Sequence, residues 1–235
     1  MTFRVSLTVR VKGMTMSGKC ATTLPSFGEQ EGRHLVLGVH PMLMVDTDAV
    51  AVERSLLAGG LTCPSCGGVL APWGHARWRS SRLEVGAVRH RPRRATCTGC
   101  AKTHVLLPAV WLLRRADAAS VIGLALLAKA AGQGHRSIAV ALGRPACTVR
   151  GWLRRFGVRA EQVRVLFTVL LYRLDPRAGP LLARESVFAD ALEALGRAGA
   201  AGVRRLAPRP PWEFASWASA GSLLAPAGGL VSNTS

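Results

Sequence analysis

Cys63-Pro64-Ser65-Cys66-Gly67 and Cys97-Thr98-Gly99-Cys100 are the two stretches that decide how this chain is read. In each, a pair of thiols two residues apart puts both sulfurs on one side of a tight turn, with backbone N–H groups pointing back at them. Two such turns from separate segments supply the four ligands of a tetrahedral zinc site. Gly67 suits the permissive backbone that the first turn needs, and Pro64 presets φ within it. The second turn has Ala101 where glycine is easier. The alternative is four buried or disulfide-bonded cysteines. The repeat of the spacing across a gap of about thirty residues favours a metal, and nothing in the sequence indicates secretion, where disulfides persist. The expected ligands are therefore Cys63, Cys66, Cys97 and Cys100, and the expected cofactor is structural Zn2+. His75, His90 and His104 are expected on the surface or beside the ligands, with replacement of one cysteine by a histidine as the alternative. Cys147 has no neighbouring cysteine and reads as a packing residue.

Working outward, the segment between the cysteine pairs is expected to be an antiparallel hairpin or three-stranded ribbon. One strand is placed at residues 77–83 and another at 88–96, returning to Cys97. So small a ribbon cannot bury enough apolar area alone, and metal binding would supply folding free energy. Upstream, the apolar run at 35–45 reads as a buried strand. Asp46 or Thr47 then caps a short helix that stops at Gly59-Gly60. Residues 1–33 read as weakly structured.

The chain holds 31 Lys+Arg against 13 Asp+Glu, a formal charge of +18, with aromatics at only 6%. Between residues 77 and 115 ten basic residues face Glu84 alone. Compositional bias toward arginine does not explain the local scarcity of acids; phosphate contacts and counterion release do. No apolar run is long enough to span a membrane, and no signal-peptide pattern opens the chain, so the expected location is cytoplasmic and nucleoid-associated.

A second pattern starts after Pro108. Asp117 or Ser120 is placed as the cap of a helix ending at Gly132. A short helix follows from Arg136 to Leu142, then a break at Gly143-Arg144-Pro145, then a helix from Ala146 to Phe156 ended by Gly157. Ile138, Leu142, Val149, Trp152 and Leu153 form the expected shared core, with Ala146, Cys147, Arg150, Gly151 and Arg154 outward. Arg150 and Arg154 lie one turn apart and suit guanine edges in a major groove. Arg136, Thr148 and Arg155 suit phosphates. Arg144, Arg91, Arg93 and Arg94 complete the expected DNA-contacting set. Two further apolar helical faces, Val163 to Leu171 and Val187 to Leu195, are expected to cap this region or to mediate a homodimer. Trp212, Phe214 and Trp217 read as a packing latch within a tail at 208–235, of which 221–235 reads as loose.

The fold class expected is α+β: a small zinc-ribbon β module followed by a mainly α helix-turn-helix domain with extra C-terminal helices. The expected divisions are 1–33, 34–108, 109–160, 161–207 and 208–235. With Cys63-Pro64-Ser65-Cys66-Gly67, the basic approach from Arg89 to Cys97, and the sequence from Gly134 to Arg155, the chain resembles the zinc-ribbon plus helix-turn-helix region of bacterial insertion-sequence transposases. It is also similar, over roughly residues 46–175, to helix-turn-helix proteins of high-GC bacteria. The resemblance implies binding of double-stranded DNA. It does not carry over nuclease activity, because the acids after the helix pair lack the alternating β pattern that a three-carboxylate, two-metal core requires. The expected function is a non-enzymatic, zinc-stabilised, sequence-specific DNA-binding protein, either a transcriptional regulator or a mobile-element recognition factor. The alternatives are the DNA-binding part of a truncated or split transposase, and an RNA-binding zinc-ribbon protein.

Overall fold

The computed structural model describes residues 42–206 and 208–225, all within one compact unit. The expectations for residues 1–33 and for most of the apolar run at 35–45 lie outside the described residues. The elements in chain order are β1 (Met42–Val45), α1 (Ala49–Leu57), β2 (Leu70–His75), β3 (Arg79–Arg82), β4 (Ala87–His90), β5 (Arg93–Cys97), β6 (Thr103–Pro108), α2 (Ala119–Ala130), α3 (His135–Leu142), α4 (Ala146–Leu174), α5 (Val187–Arg205) and α6 (Pro211–Ala218). The architecture is α+β, with a small sheet and six helices among the described residues.

Four strands form one sheet in the order β1-β6-β5-β2. β1 runs parallel to β6, and β6–β5 and β5–β2 are antiparallel. β3 and β4 form a separate hairpin. Successive side chains on a strand point to opposite faces, and this sheet buries both. Leu43, Val45 and Leu106 join a small core with Val52, Leu56, Leu70, Ala95, Cys63 and Cys97. Met44 and Leu107 face the other way, into the large core built by the helices. A strand covered on both faces reads as a continuous apolar run, which is how Met42–Val45 and Val105-Leu106-Leu107 stand in the sequence.

Several expected boundaries are corrected. The cap of α1 is Asp48, whose side chain accepts from the Val50 N–H, not Asp46 or Thr47. The single strand expected at 88–96 is two strands in two sheets, because Pro92 has no N–H to continue a ladder. Neither Asp117 nor Ser120 caps α2; its N-cap is Ala118, without a side-chain hydrogen bond. Gly157 does not end α4, which continues to Leu174. A mid-helix glycine costs about 1 kcal/mol, and the buried series Phe156, Ala160, Val163, Phe167, Leu170 and Leu171 outweighs it by packing in the large core with α5 residues Ala191, Leu192 and Leu195. Residues 208–225 are not a free tail: Phe214, Leu223 and Leu224 are buried in the large core. The aromatic latch is present, with Phe214 between Phe167 and Trp217.

α3 and α4 are joined by Gly143-Arg144-Pro145. Gly143 takes a left-handed conformation, φ 60°, and its N–H and that of Arg144 close the end of α3. Ile138, Ala139, Val149 and Trp152 are buried between the two helices, and Leu142 and Leu153 flank them.

Candidate functional site

The two cysteine turns are built alike. The Cys63 carbonyl accepts from the Gly67 N–H at 2.9 Å and the Cys97 carbonyl from the Ala101 N–H at 3.0 Å. The Cys63 N–H donates to the Gly68 carbonyl, and the Cys97 N–H to the Lys102 carbonyl. Gly67 and Ala101 occupy the same place in the two turns, and both have positive φ, 75° and 58°. Ala101 therefore accepts backbone strain that glycine would not. Gly68 answers a different need: a Cβ there would sit 3.1 Å from the Cys97 sulfur.

These turns bring four sulfurs within 4.8 Å of one another. Cys63 Sγ lies 3.8 Å from Cys100 Sγ, and Cys66 Sγ lies 3.4 Å from Cys97 Sγ. A tetrahedral ion with bonds of about 2.3 Å needs sulfur–sulfur edges of about 3.8 Å. The described cysteines are free thiols, as those separations require. Backbone N–H groups of Ser65, Gly99 and Cys100 point at Cys63 or Cys97 sulfurs at 3.3–3.4 Å. The Cys100 N–H, helped by that of Gly99 and opposed by burial, holds the Cys97 thiol down at about 6. The Gly68 N–H acts the same way on Cys66, but its sulfur neighbours outweigh it and push that thiol up to about 12. Four sulfurs this close cannot all ionise without a cation among them, and they can hold one.

His104 is buried, with Nε2 3.4 Å from Cys63 Sγ, and burial followed by the charge of Lys102 lowers its pKa. A neutral ring can donate its Nε2–H to a thiolate, and His104 thus stands beside the four-sulfur cluster, which does not include it. His75 is exposed. His90 is half-buried and stacks on Trp111, centroids 4.9 Å apart and planes 7° apart.

The expected DNA-contacting residues separate into two sets. Arg136, Arg150 and Arg154 are exposed on α3 and α4, and Thr148 and Arg155 are half-buried beside them. Arg155 folds back toward Gly151, where an added Cβ would meet its Nη1 at 2.9 Å. Arg144, expected to contact DNA, is turned inward. Its guanidinium donates to Asp117 Oδ1 and to the carbonyls of Leu142 and Leu83. Arg93 is likewise committed, making a two-pronged pair with Glu53 and a bond to the Gly74 carbonyl. Arg94 donates to Thr103 Oγ1, and Arg91, though exposed, donates to the Ala76 carbonyl.

Asp117 is the residue that sequence reasoning misplaced. It is 2% exposed and holds Arg82 and Arg144, each at 2.7 Å. One signal pointed to it: between Glu84 and Glu161 it is the lone acid. Among the described residues no helix is long and apolar enough to cross a membrane. Comparison with protein-family models, curated proteins and solved structures finds no match to this chain.

Proposed function

We propose that this protein is a zinc-stabilised, sequence-specific DNA-binding protein, acting as a transcriptional regulator or as the recognition factor of a mobile element. The carrying observation is the exposed pair Arg150 and Arg154 near the start of α4, one turn apart and with no carboxylate in ion-pair range among the described residues. On this reading α3–turn–α4 is a helix-turn-helix whose second helix enters the major groove. The two guanidiniums read guanine edges, and Arg136, Thr148 and Arg155 contact flanking phosphates. The first turn of α4 carries no acidic residue and no side-chain cap, so its free N–H groups also favour phosphate.

The cysteine-bearing sheet is then a zinc ribbon whose metal is structural. Four sulfur ligands leave no open position for substrate, and two of the nine residues in the small core are themselves ligands. A homodimer is part of the proposal: Val158, Val165, Val169 and Tyr172 are exposed along one face of α4 and would be covered by a second copy.

Selection of bound duplexes from a random pool tests the reading. A single enriched motif is expected, and it should disappear with Arg150→Ala/Arg154→Ala. A pool that stays random with the unmodified protein would leave only charge-driven binding and defeat the proposal.

A further inference from the structure

We propose that Trp73 and Trp78, with the arginines around them, form a stacking platform for the unpaired bases of single-stranded DNA. The choice of DNA over RNA rests on the function proposed above; the platform itself rests on separate observations. Trp73 and Trp78 are 58% and 57% exposed, whereas Trp111 and Trp152 are 5% and 3%. Trp73 lies on β2, one of the two edge strands of the sheet, where the register with β5 shifts between Pro72 and His75. Trp78 lies in the link to β3, and the Arg89 guanidinium sits over its ring, 5.4 Å from the centroid. That contact restrains the ring and leaves its area in water.

The segments that carry and flank the two rings are rich in basic residues. His75, Arg77, Arg79, Arg89 and Arg91 accompany the two rings. No carboxylate among the described residues pairs with any of these four arginines. The nearest acids in sequence do not cancel them: Glu84 stands exposed at the turn of the β3–β4 hairpin, and Glu53 is held by Arg93. Exposed rings set among cations bind the faces of bases and the phosphates between them. A duplex keeps those faces stacked inside, so it satisfies the arginines and leaves the tryptophans idle. An acidic peptide does the same.

The hairpin next to Trp78 is also fixed in place. The Arg82 N–H donates to the Ala116 carbonyl at 2.7 Å, the Ala118 N–H to the Arg82 carbonyl at 2.9 Å, and Arg144 Nη2 to the Leu83 carbonyl at 2.7 Å. The hairpin is thereby pinned to the start of α2 and to the turn before α4.

The test titrates the full-length, zinc-loaded protein with labelled oligodeoxythymidylate, oligouridylate and a blunt duplex at one salt concentration, following tryptophan emission and label anisotropy. Oligodeoxythymidylate should quench emission. Trp73→Ala/Trp78→Ala should weaken its binding by about tenfold or more while duplex affinity stays within about twofold, and Trp73→Phe/Trp78→Phe should restore most of the loss. Unchanged oligodeoxythymidylate affinity in the alanine variant, or absence of binding by the unmodified protein, would each overturn the platform; tighter binding of oligouridylate would overturn the choice of DNA. Failure of the major-groove reading is scored separately, as duplex selectivity indifferent to Arg150→Ala/Arg154→Ala.

Discussion

Asp117 and Arg144 meet through a 2.7 Å bond between Oδ1 and Nε, and the second carboxylate oxygen of Asp117 takes Arg82. The three residues join the β3–β4 hairpin, the entry to α2 and the turn before α4. Arg82 is substantially exposed, but Asp117 is buried and Arg144 largely so, and their bond is little screened by water.

Asp117→Ala should therefore destabilise the protein by about 3 kcal/mol, since it strands a buried guanidinium. Urea denaturation measures the loss. Addition of Arg144→Met to that variant should recover part of it, because the stranded charge is removed. No recovery would mean that Asp117 acts through something other than this pair.

Removing the metal should unfold the cysteine-bearing sheet and leave α2–α6 folded. The large core does not include the four cysteines, and the small one depends on two of them. One zinc per chain is expected by elemental analysis, lost on changing Cys63, Cys66, Cys97 or Cys100 to Ser. Chelation should open β2, β5 and β6 to amide exchange while helix protection persists. Uniform loss of protection would show that the two cores do not unfold separately.

Acidification should weaken the fold through His90. Burial, then the charge of Arg79, lowers its pKa below the ordinary 6.5. The folded state thus resists a proton that the unfolded chain accepts. The stability tied to the neutral ring is complete above pH 6.5 and is lost as pH falls through the lower folded value. His90→Phe keeps a ring for Trp111 and removes the titration, so its stability should change less between pH 7 and 5. An unchanged slope would assign the effect to other groups.

Much of this fold was legible because local rules and tertiary packing agree at the residues concerned. The cysteine turns are set by paired cysteines and positive-φ positions, and the α3–α4 pair by a left-handed Gly143 with apolar residues at helical spacing. The failures share a cause. Gly157 reads as a stop only until α5 covers the neighbouring Phe156, Ala160, Val163 and Phe167 face of α4. Leu223 and Leu224 read as tail until the large core is seen to take them. Asp117 reads as a cap because a cap is the commonest local use of aspartate, whereas its two partners lie 35 and 27 residues away. Arg144 and Arg93 read as DNA contacts for the same reason: their acids are remote in sequence.

Gly123 and Trp212 give a test of how α6 is held. A Cβ at 123 would overlap the Trp212 ring, and one at Gly202 would lie 2.6 Å from Phe214 Cε2. Two glycines on α2 and α5 thus make room for two aromatic rings of α6. Gly123→Ala should cost about 1–3 kcal/mol by overpacking, despite alanine's better helix propensity. Gly196→Ala, with open space around the added methyl, should be neutral or slightly stabilising. Thermal denaturation of the two variants separates crowding from propensity.

Arg150 and Arg144 provide the last contrast, since losing either removes one positive charge six residues apart on the chain. Arg150 is exposed and Arg144 is tied to Asp117. Arg150→Ala and Arg154→Ala should each leave stability within about 0.5 kcal/mol. On the proposed reading each should lower discrimination between the selected duplex and a random one by about 1–3 kcal/mol. Arg144→Ala should do the reverse: a clear loss in urea denaturation, with selectivity retained by whatever fraction stays folded. Lys129→Ala, on α2 and outside both sets, controls for net charge. If it lowers selectivity as much as Arg150→Ala, the duplex responds to total charge and α4 is not the reading helix.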